Sequence, residues 1–259
     1  MNNINKTLYI PLYGKAYVSK KGIILHDSKA EEIWSKEGFH LKGKSSSKWL
    51  AYSMGMRSRV FDRWLSNQLE KKKDAVVLHL GCGMDSRCAR VVCHNEWFDV
   101  DFPSVIEERK RYYSPTERYH MIASDIRDSQ WLNSTSKKSA VIIMEGISMY
   151  LSPDELKKLL KKLDEHFEEI ALLMDYYTVI AAKASKYKNP INDVGVTQVY
   201  GLDNPKELLK ETSISYCGEV LMTPDDLINQ LSGMEKTIFR NLYAGNIARK
   251  MYRMVEIEK

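Results

Sequence analysis

A chain of 259 residues, 44% hydrophobic and 28% charged, holds enough apolar material for one substantial core and enough charge to stay in solution. Its net charge of +5 is mild, and the runs Lys71-Lys72-Lys73, Lys157-Lys158 and Lys161-Lys162 lack the interleaved aromatics of a nucleic-acid surface; they read as solvated helix ends and faces, and no nucleic-acid partner is expected. No stretch approaches the roughly 20 apolar residues that span a bilayer, and residues 1–11 are too polar for a signal peptide, so no membrane partner and a cytoplasmic location are expected.

The first 70 residues read as helical and are rich in aromatics, most of them expected in the core and a minority lining a substrate pocket. Over 45–70, Trp49, Tyr52, Met56, Val60, Phe61, Trp64 and Leu65 recur at steps of three and four, which predicts an amphipathic helix. The texture changes after Lys73. Residues 75–80 form a short apolar run that ends in glycine, as a buried parallel strand does. Further strands are expected at 96–101, 119–125, 140–145 and 170–175, with helices at 104–113 and 153–167 between them. The second helix has a defined start: Ser152 at the cap, Pro153 at the first helical position and Glu155 placed for a capping box. Alternating strands and helices imply an α/β, Rossmann-like fold with a mainly parallel sheet and right-handed crossovers.

Residues 176–222, which include Asn189-Pro190, Gly195, Gly201 and Asn204-Pro205, interrupt the alternation and read as an inserted lid of loops and helix. A helix start is expected at Thr223-Pro224. The segments 236–242 and 250–257 are expected to close the fold as a terminal antiparallel strand pair. One domain is therefore expected over 1–259, with a helical N-terminal cap (1–73), a cofactor-binding core (74–175), the insertion (176–222) and a C-terminal part (223–259). Cys82, Cys88, Cys93 and Cys217 form no C-x-x-C pair, so reduced thiols are expected and no metal site.

The chemistry gathers at Leu80-Gly81-Cys82-Gly83-Met84-Asp85, directly after the first strand. Glycines there permit a tight strand-to-helix turn and close approach of a ligand to the backbone. Asp101 ends the next strand about 20 residues on, where an acid can hold ribose hydroxyls; Asp99 is expected to face the other side of that strand. The position of the third glycine in a dinucleotide fingerprint is Ser86, and no Walker lysine is present, so a cofactor with a nucleoside and no phosphate is favoured.

Four segments together resemble the leucine carboxyl methyltransferase family, a group that includes bacterial polyketide-type O-methyltransferases. They are Leu80-Gly81-Cys82-Gly83-Met84-Asp85-Ser86-Arg87, Trp97-Phe98-Asp99-Val100-Asp101-Phe102-Pro103, Ala123-Ser124-Asp125-Ile126-Arg127-Asp128 and Glu145-Gly146-Ile147-Ser148-Met149-Tyr150-Leu151. Arg57-Ser58-Arg59-Val60-Phe61-Asp62 is similar to an upstream element of the same family. The resemblance implies a class I S-adenosylmethionine-dependent methyltransferase that releases S-adenosylhomocysteine. It places the turn of Gly81, Cys82 and Gly83 at the methionine part of the cofactor and Asp101 at the ribose. Asp125 and Ile126 would frame the adenine, Arg57 would meet the cofactor carboxylate, and Glu145 its amino end. Tyr150, after the fourth strand, is a candidate for lining the acceptor site. The resemblance weakens in the last third, where acceptor specificity is expected to lie.

None of His26, His40, His79, His94, His120 and His166 sits in a recognisable base motif, so no catalytic base is nominated. A carboxylate acceptor would need none, since it is ionised at neutral pH. The expected activity is O-methylation of a carboxyl or hydroxyl group of a small molecule. The alternatives are a protein C-terminal leucine carboxyl group as acceptor, a nicotinamide-dependent oxidoreductase, and a non-catalytic binding protein.

Overall fold

The computed structural model describes residues 8–38, 41, 43–136, 138–188 and 198–259. Expectations for residues 1–7, Phe39, His40, Asn189-Pro190 and Gly195 lie outside the described residues. Helices α1 (Tyr9–Lys20), α2 (Ser28–Glu37) and α3 (Lys48–Lys71) precede strand β1 (Val76–Leu80). A one-turn helix α4 (Arg87–Arg90), β2 (Trp97–Asp101), α5 (Pro103–Arg109), β3 (Tyr119–Ala123), β4 (Ser139–Met144), α6 (Pro153–His166) and β5 (Glu169–Tyr177) follow in turn. The chain then forms α7 (Val179–Lys188), β6 (Ser215–Glu219), α8 (Asp225–Ile228), α9 (Gly233–Leu242), α10 (Asn246–Met251) and β7 (Tyr252–Glu258).

The strands form one sheet in the order β3-β2-β1-β4-β5-β7-β6. The first five are parallel, so their carboxyl ends share one edge. β7 runs antiparallel to β5 on one side and to β6 on the other. The order reverses between β1 and β4, the switch point where open α/β sheets bind ligands. No helix among the described residues is long and apolar enough to cross a membrane, and all four cysteines are free thiols.

Alternation along the strands builds two cores. On one face, Leu78, Val100, Ile142, Met144, Leu172 and Met174 meet Leu156, Leu159, Leu160 and Leu163 of α6. Each of those leucines contributes about 1.5–3 kcal/mol by burial. The capping box at Ser152 and Glu155, with both reciprocal hydrogen bonds formed, is worth about 1 kcal/mol. The cap sets where α6 begins, and leucine burial holds it to the sheet. On the other face, Val77, Val141, Ile143, Ala171 and Leu173 pack against Tyr52, Met56, Val60, Phe61, Trp64 and Leu65 of α3.

The structure corrects two expectations. Residues 236–242 belong to helix α9, not to a strand. Ile238, Phe239 and Leu242 lie at helical spacing, and only Phe239 of α9 is buried; a lone apolar edge against solvent fits a surface helix. β7's antiparallel partner at the sheet edge is instead Ser215–Glu219, within the segment read as an insertion. The second correction concerns Asp99. It lies two residues before Asp101, and a strand repeats every two residues, so both share the α3 face; Asp99 is simply one step deeper in the core.

Candidate active site

The turn after β1 is made by two glycines in left-handed conformation, Gly81 at φ +66 and Gly83 at φ +53. A Cβ on Gly81 would stand 2.3 Å from the side chain of Ile147, so this residue is also held to glycine by the loop after β4. The Gly81 amide donates to the carbonyl of Val100 at 2.8 Å. The Gly83 amide donates to Oδ2 of Asp101 at 2.8 Å, and the amide of Phe102 donates to the other oxygen at 2.7 Å. Burial pushes the Asp101 carboxyl above its ordinary value, and these two amides oppose the shift. Asp101 thus ties the glycine turn to the end of β2 and keeps lone pairs on both oxygens for a ligand.

Arg57 and Glu145 come together over the carboxyl ends of β1 and β4. Arg57 Nε donates to Oε1 of Glu145 at 3.0 Å, and Arg87 Nη2 donates to Oε2. Burial alone would push the Glu145 carboxyl up, but Arg87 and Arg57 pull it down to about 2. Glu145 is therefore a fixed negative charge. Arg57 also reaches Tyr252 Oη at 2.7 Å and Asp175 Oδ2 at 3.3 Å.

Below them lies a buried ion cluster. Arg87, fully buried, bridges Asp62, Asp85 and Glu145. Arg90 bridges Asp27, Asp62 and Asp85, and Lys15 of α1 reaches Asp85 at 3.1 Å. In this connected set, five acids (Asp27, Asp62, Asp85, Glu145, Asp175) face four bases (Lys15, Arg57, Arg87, Arg90), a formal surplus of one acid; burial pushes the Asp175 carboxyl up and the Lys15 ammonium down. Asp99 is paired with Arg109 and hydrogen-bonded by Tyr119, Trp97 and His79, and the other ring nitrogen of His79 links it to Arg87 at 3.4 Å.

Asp125 and Ile126 follow β3 at the same edge, beside β2: the amide of the preceding Ser124 donates to the Asp101 carbonyl at 2.9 Å. The Asp125 carboxylate is held by Arg127, which lowers its pKa, and Arg127 also pairs with Glu155. Three N–H groups of Arg127, its backbone amide, Nε and Nη2, make four contacts to the two Asp125 oxygens; a carboxylate offers about four acceptor sites, so an amine donor would have to share them with Arg127. Ile126 is half-buried against the α6-side core, and its carbonyl accepts from Trp131 at 3.3 Å. Cys82 is buried, its thiol is pushed well above the ordinary value by burial, and its carbonyl accepts the Asp85 amide at 3.1 Å.

Tyr150 lies in a small apolar cluster on the other side of the turn after β4. Met149, Ala182 and Val199 are buried there, with Tyr150, Tyr177 and Tyr252 packed against them. The return strand of chain is fixed by Tyr200 donating to the Met149 carbonyl and Leu202 donating to the Tyr177 carbonyl, both at 2.8 Å. The structure thus brings two groups of sequence-predicted residues to one edge: the Gly81–Gly83 turn with Asp101, and Arg57 with Glu145. Asp125, Ile126 and Tyr150 flank them.

Sequence reasoning missed Lys15, Asp62, Asp175 and Tyr252, and gave Asp85 and Arg87 no role. Asp175 had a legible signal, an acid at the carboxyl end of a buried strand. Lys15 had none, because a single lysine in an aromatic helix looks like surface.

The family model described as leucine carboxyl methyltransferase matches residues 7–164. The chain is 29% identical over 212 residues to the tetracenomycin polyketide synthesis O-methyltransferase TcmP of Streptomyces glaucescens, covering 80% of this chain and 78% of that one. It is 26% identical over 233 residues to the S-adenosyl-L-methionine-dependent methyltransferase dpfgK of Gibberella zeae, with the same coverages of 80% and 78%. Among solved structures, magnesium protoporphyrin IX methyltransferase from Synechocystis PCC 6803, determined with bound S-adenosylhomocysteine, superposes with a TM-score of 0.52. That match covers 90% of this chain and 100% of that one at 10% identity, a likeness of fold.

Proposed function

The chain belongs to the leucine carboxyl methyltransferase family and is an S-adenosylmethionine-dependent methyltransferase, and from that premise we propose that it methylates an oxygen of a small molecule at the edge formed by β1, β4 and β5. The observation that carries this reading is the pairing of two anchors across that edge: the Asp101-bound glycine turn, and Glu145 with Arg57.

The residues fit the cofactor by charge as well as by shape. S-adenosylmethionine carries a sulfonium and an ammonium against one carboxylate, and the buried cluster beneath the site has a formal surplus of one acid. A dinucleotide would bring two phosphates instead. At the place of the third glycine, Ser86 is buried and its hydroxyl donates to both oxygens of Asp27 at 2.6 Å, so an acid stands where diphosphate would need a cradle. Both points weigh against the oxidoreductase alternative.

In this reading Asp101 accepts from the ribose hydroxyls while it keeps the Gly83 amide fixed, and the backbone of Gly81, Cys82 and Gly83 admits the methionine part. Asp125 accepts from the adenine amine beside Ile126. Glu145, ionised, holds the ammonium, and Arg57 the carboxylate. The bound cofactor supplies a methyl group activated by a positive sulfur. The protein's part is to hold the acceptor oxygen in line and exclude water, where proximity and orientation can supply about 7–11 kcal/mol. The apolar cluster of Met149, Tyr150, Tyr177, Ala182 and Val199 supports an acceptor site on the β5 side, with α7 and residues 198–202 as its cover. TcmP, by its name, serves polyketide synthesis, and its match over four-fifths of the chain favours a small acceptor over a protein C-terminus.

Calorimetric titration with S-adenosylmethionine, S-adenosylhomocysteine and NAD tests the cofactor site, and a methylation survey tests the acceptor. We expect binding of the two adenosyl ligands alone, and methyl transfer to phenolic or carboxylic small molecules. Methylation of a leucine-ending peptide in preference to these would overturn the small-molecule reading.

A further inference from the structure

A second feature of the site concerns how Arg57 is aimed. Its Nε is engaged by Glu145 at 3.0 Å. Its Nη1 donates to Tyr252 Oη at 2.7 Å and lies 3.3 Å from Asp175 Oδ2. Tyr252 Oη in turn donates to that same Asp175 oxygen at 2.6 Å. The other Asp175 oxygen accepts the amide of Gly146 at 2.7 Å, so one carboxylate fastens the guanidinium, the tyrosine and the turn after β4. Arg57 Nη2 takes no part in these bonds. It sits beside Gly146, 3.3 Å from where a Cβ would stand, and Gly146 has φ +73.

An arginine beside a single carboxylate closes readily into a two-point fork with it. For Arg57 and Glu145, whose Oε2 already accepts from Arg87 Nη2, that closure would spend two guanidinium N–H groups on a protein carboxylate and leave both groups less available to a ligand. The Tyr252–Asp175 pair opposes it by holding the guanidinium from the far side. We propose that Tyr252, with Asp175, is a positioning residue that keeps Arg57 open toward the amino-acid tail of the cofactor; this rests on the cofactor placement proposed above. Tyr252 is well suited to the task. Its backbone is locked opposite Tyr177 in the β5–β7 ladder, and its ring packs edge-on against Tyr177 at 4.9 Å between centroids. The hydroxyl is therefore delivered to Arg57 by a rigid element, 195 positions away in sequence. The same ring belongs to the apolar cluster on the β5 side, so one side chain joins the cofactor anchor to the acceptor side.

The test uses two ligands that differ only in the tail. S-adenosylhomocysteine has the amino-acid group, and 5′-methylthioadenosine keeps the adenosine and thioether without it. Wild type, Tyr252→Phe and Arg57→Lys are titrated with both, and thermal melting is recorded alongside. Tyr252→Phe keeps the ring and its packing on Tyr177 and removes only the hydroxyl. We expect it to bind S-adenosylhomocysteine about tenfold more weakly, the scale of one hydrogen bond to a charged group, with 5′-methylthioadenosine affinity within about twofold of wild type, a shift small beside that hydrogen bond. Combining it with Arg57→Lys should add little further loss, because the two act as a unit. Unchanged S-adenosylhomocysteine affinity in Tyr252→Phe, or equal weakening toward both ligands, overturns the positioning role. Wild type binding neither ligand instead overturns the cofactor placement itself.

Discussion

Gly83 and Asp101 are joined by a 2.8 Å hydrogen bond from the glycine amide to Oδ2 of the carboxylate, so the turn after β1 and the end of β2 are one mechanical unit. Asp101→Asn replaces a charged acceptor with an amide that accepts through one oxygen only. We expect S-adenosylhomocysteine affinity to fall at least about tenfold and the fold to lose about 1–3 kcal/mol, because a buried amide donor is left without its partner. Calorimetry and urea unfolding measure the two losses; unaltered affinity would remove Asp101 from the site.

Gly81 offers a test of shape alone. Gly81→Ala must bear a left-handed backbone, at about 1–2 kcal/mol, and its Cβ falls 2.3 Å from Ile147. Ile147→Ala in the same chain should restore part of the stability, since it removes the clash and not the backbone strain. Full recovery of the melting temperature in the double variant would show that φ at this position is unimportant.

Acid should act through Glu145. Its folded value of about 2 lies below the ordinary 4.5, so the stabilisation from its ionised form is present above about 4.5 and is lost as pH falls toward 2. Glu145→Gln leaves Arg57 and Arg87 short of a partner, and breaking a buried pair costs about 3–5 kcal/mol near neutrality. The stability gap between wild type and this variant should narrow as pH drops through that window. A gap of constant size from pH 7 to pH 3 would mean that Glu145 carries no such linkage.

The apolar cluster on the β5 side predicts a separation of functions. Val199→Phe adds bulk against Met149 and Ala182, where overpacking costs about 1–3 kcal/mol. Turnover of the acceptor should fall at least about tenfold, the scale of a one- or two-carbon misfit in an apolar pocket, while S-adenosylhomocysteine affinity stays unchanged. Loss of cofactor affinity with retained turnover would place the acceptor elsewhere.

What the sequence revealed follows the range of the interactions concerned. The turn after β1, the strand that ends in Asp101 and the start of α6 are set by neighbours a few residues apart, so local patterns sufficed. Residues 236–242 misled because Ile238-Phe239 reads as a strand fragment until the long-range packing of Phe239 is known. Asp99 was misplaced through a slip in strand parity, although its sequence position alone puts it on the same face as Asp101. Tyr252 could not be seen at all. Its meaning arises from Arg57 and Asp175, which meet it only through the tertiary fold.

The position of β7 has a consequence for how the molecule is made. It follows every other element in the chain, yet it lies inside the sheet between β5 and β6. During synthesis from the N-terminus, β5 therefore waits with an unpaired flank, and β6 has no sheet partner until β7 leaves the ribosome. An open flank of Leu172, Leu173 and Met174 is a template for pairing between nascent chains. Chains stopped before Tyr252 should accumulate in inclusion bodies rather than as a slightly weakened enzyme, and chaperone dependence should peak in the interval before the last strand docks.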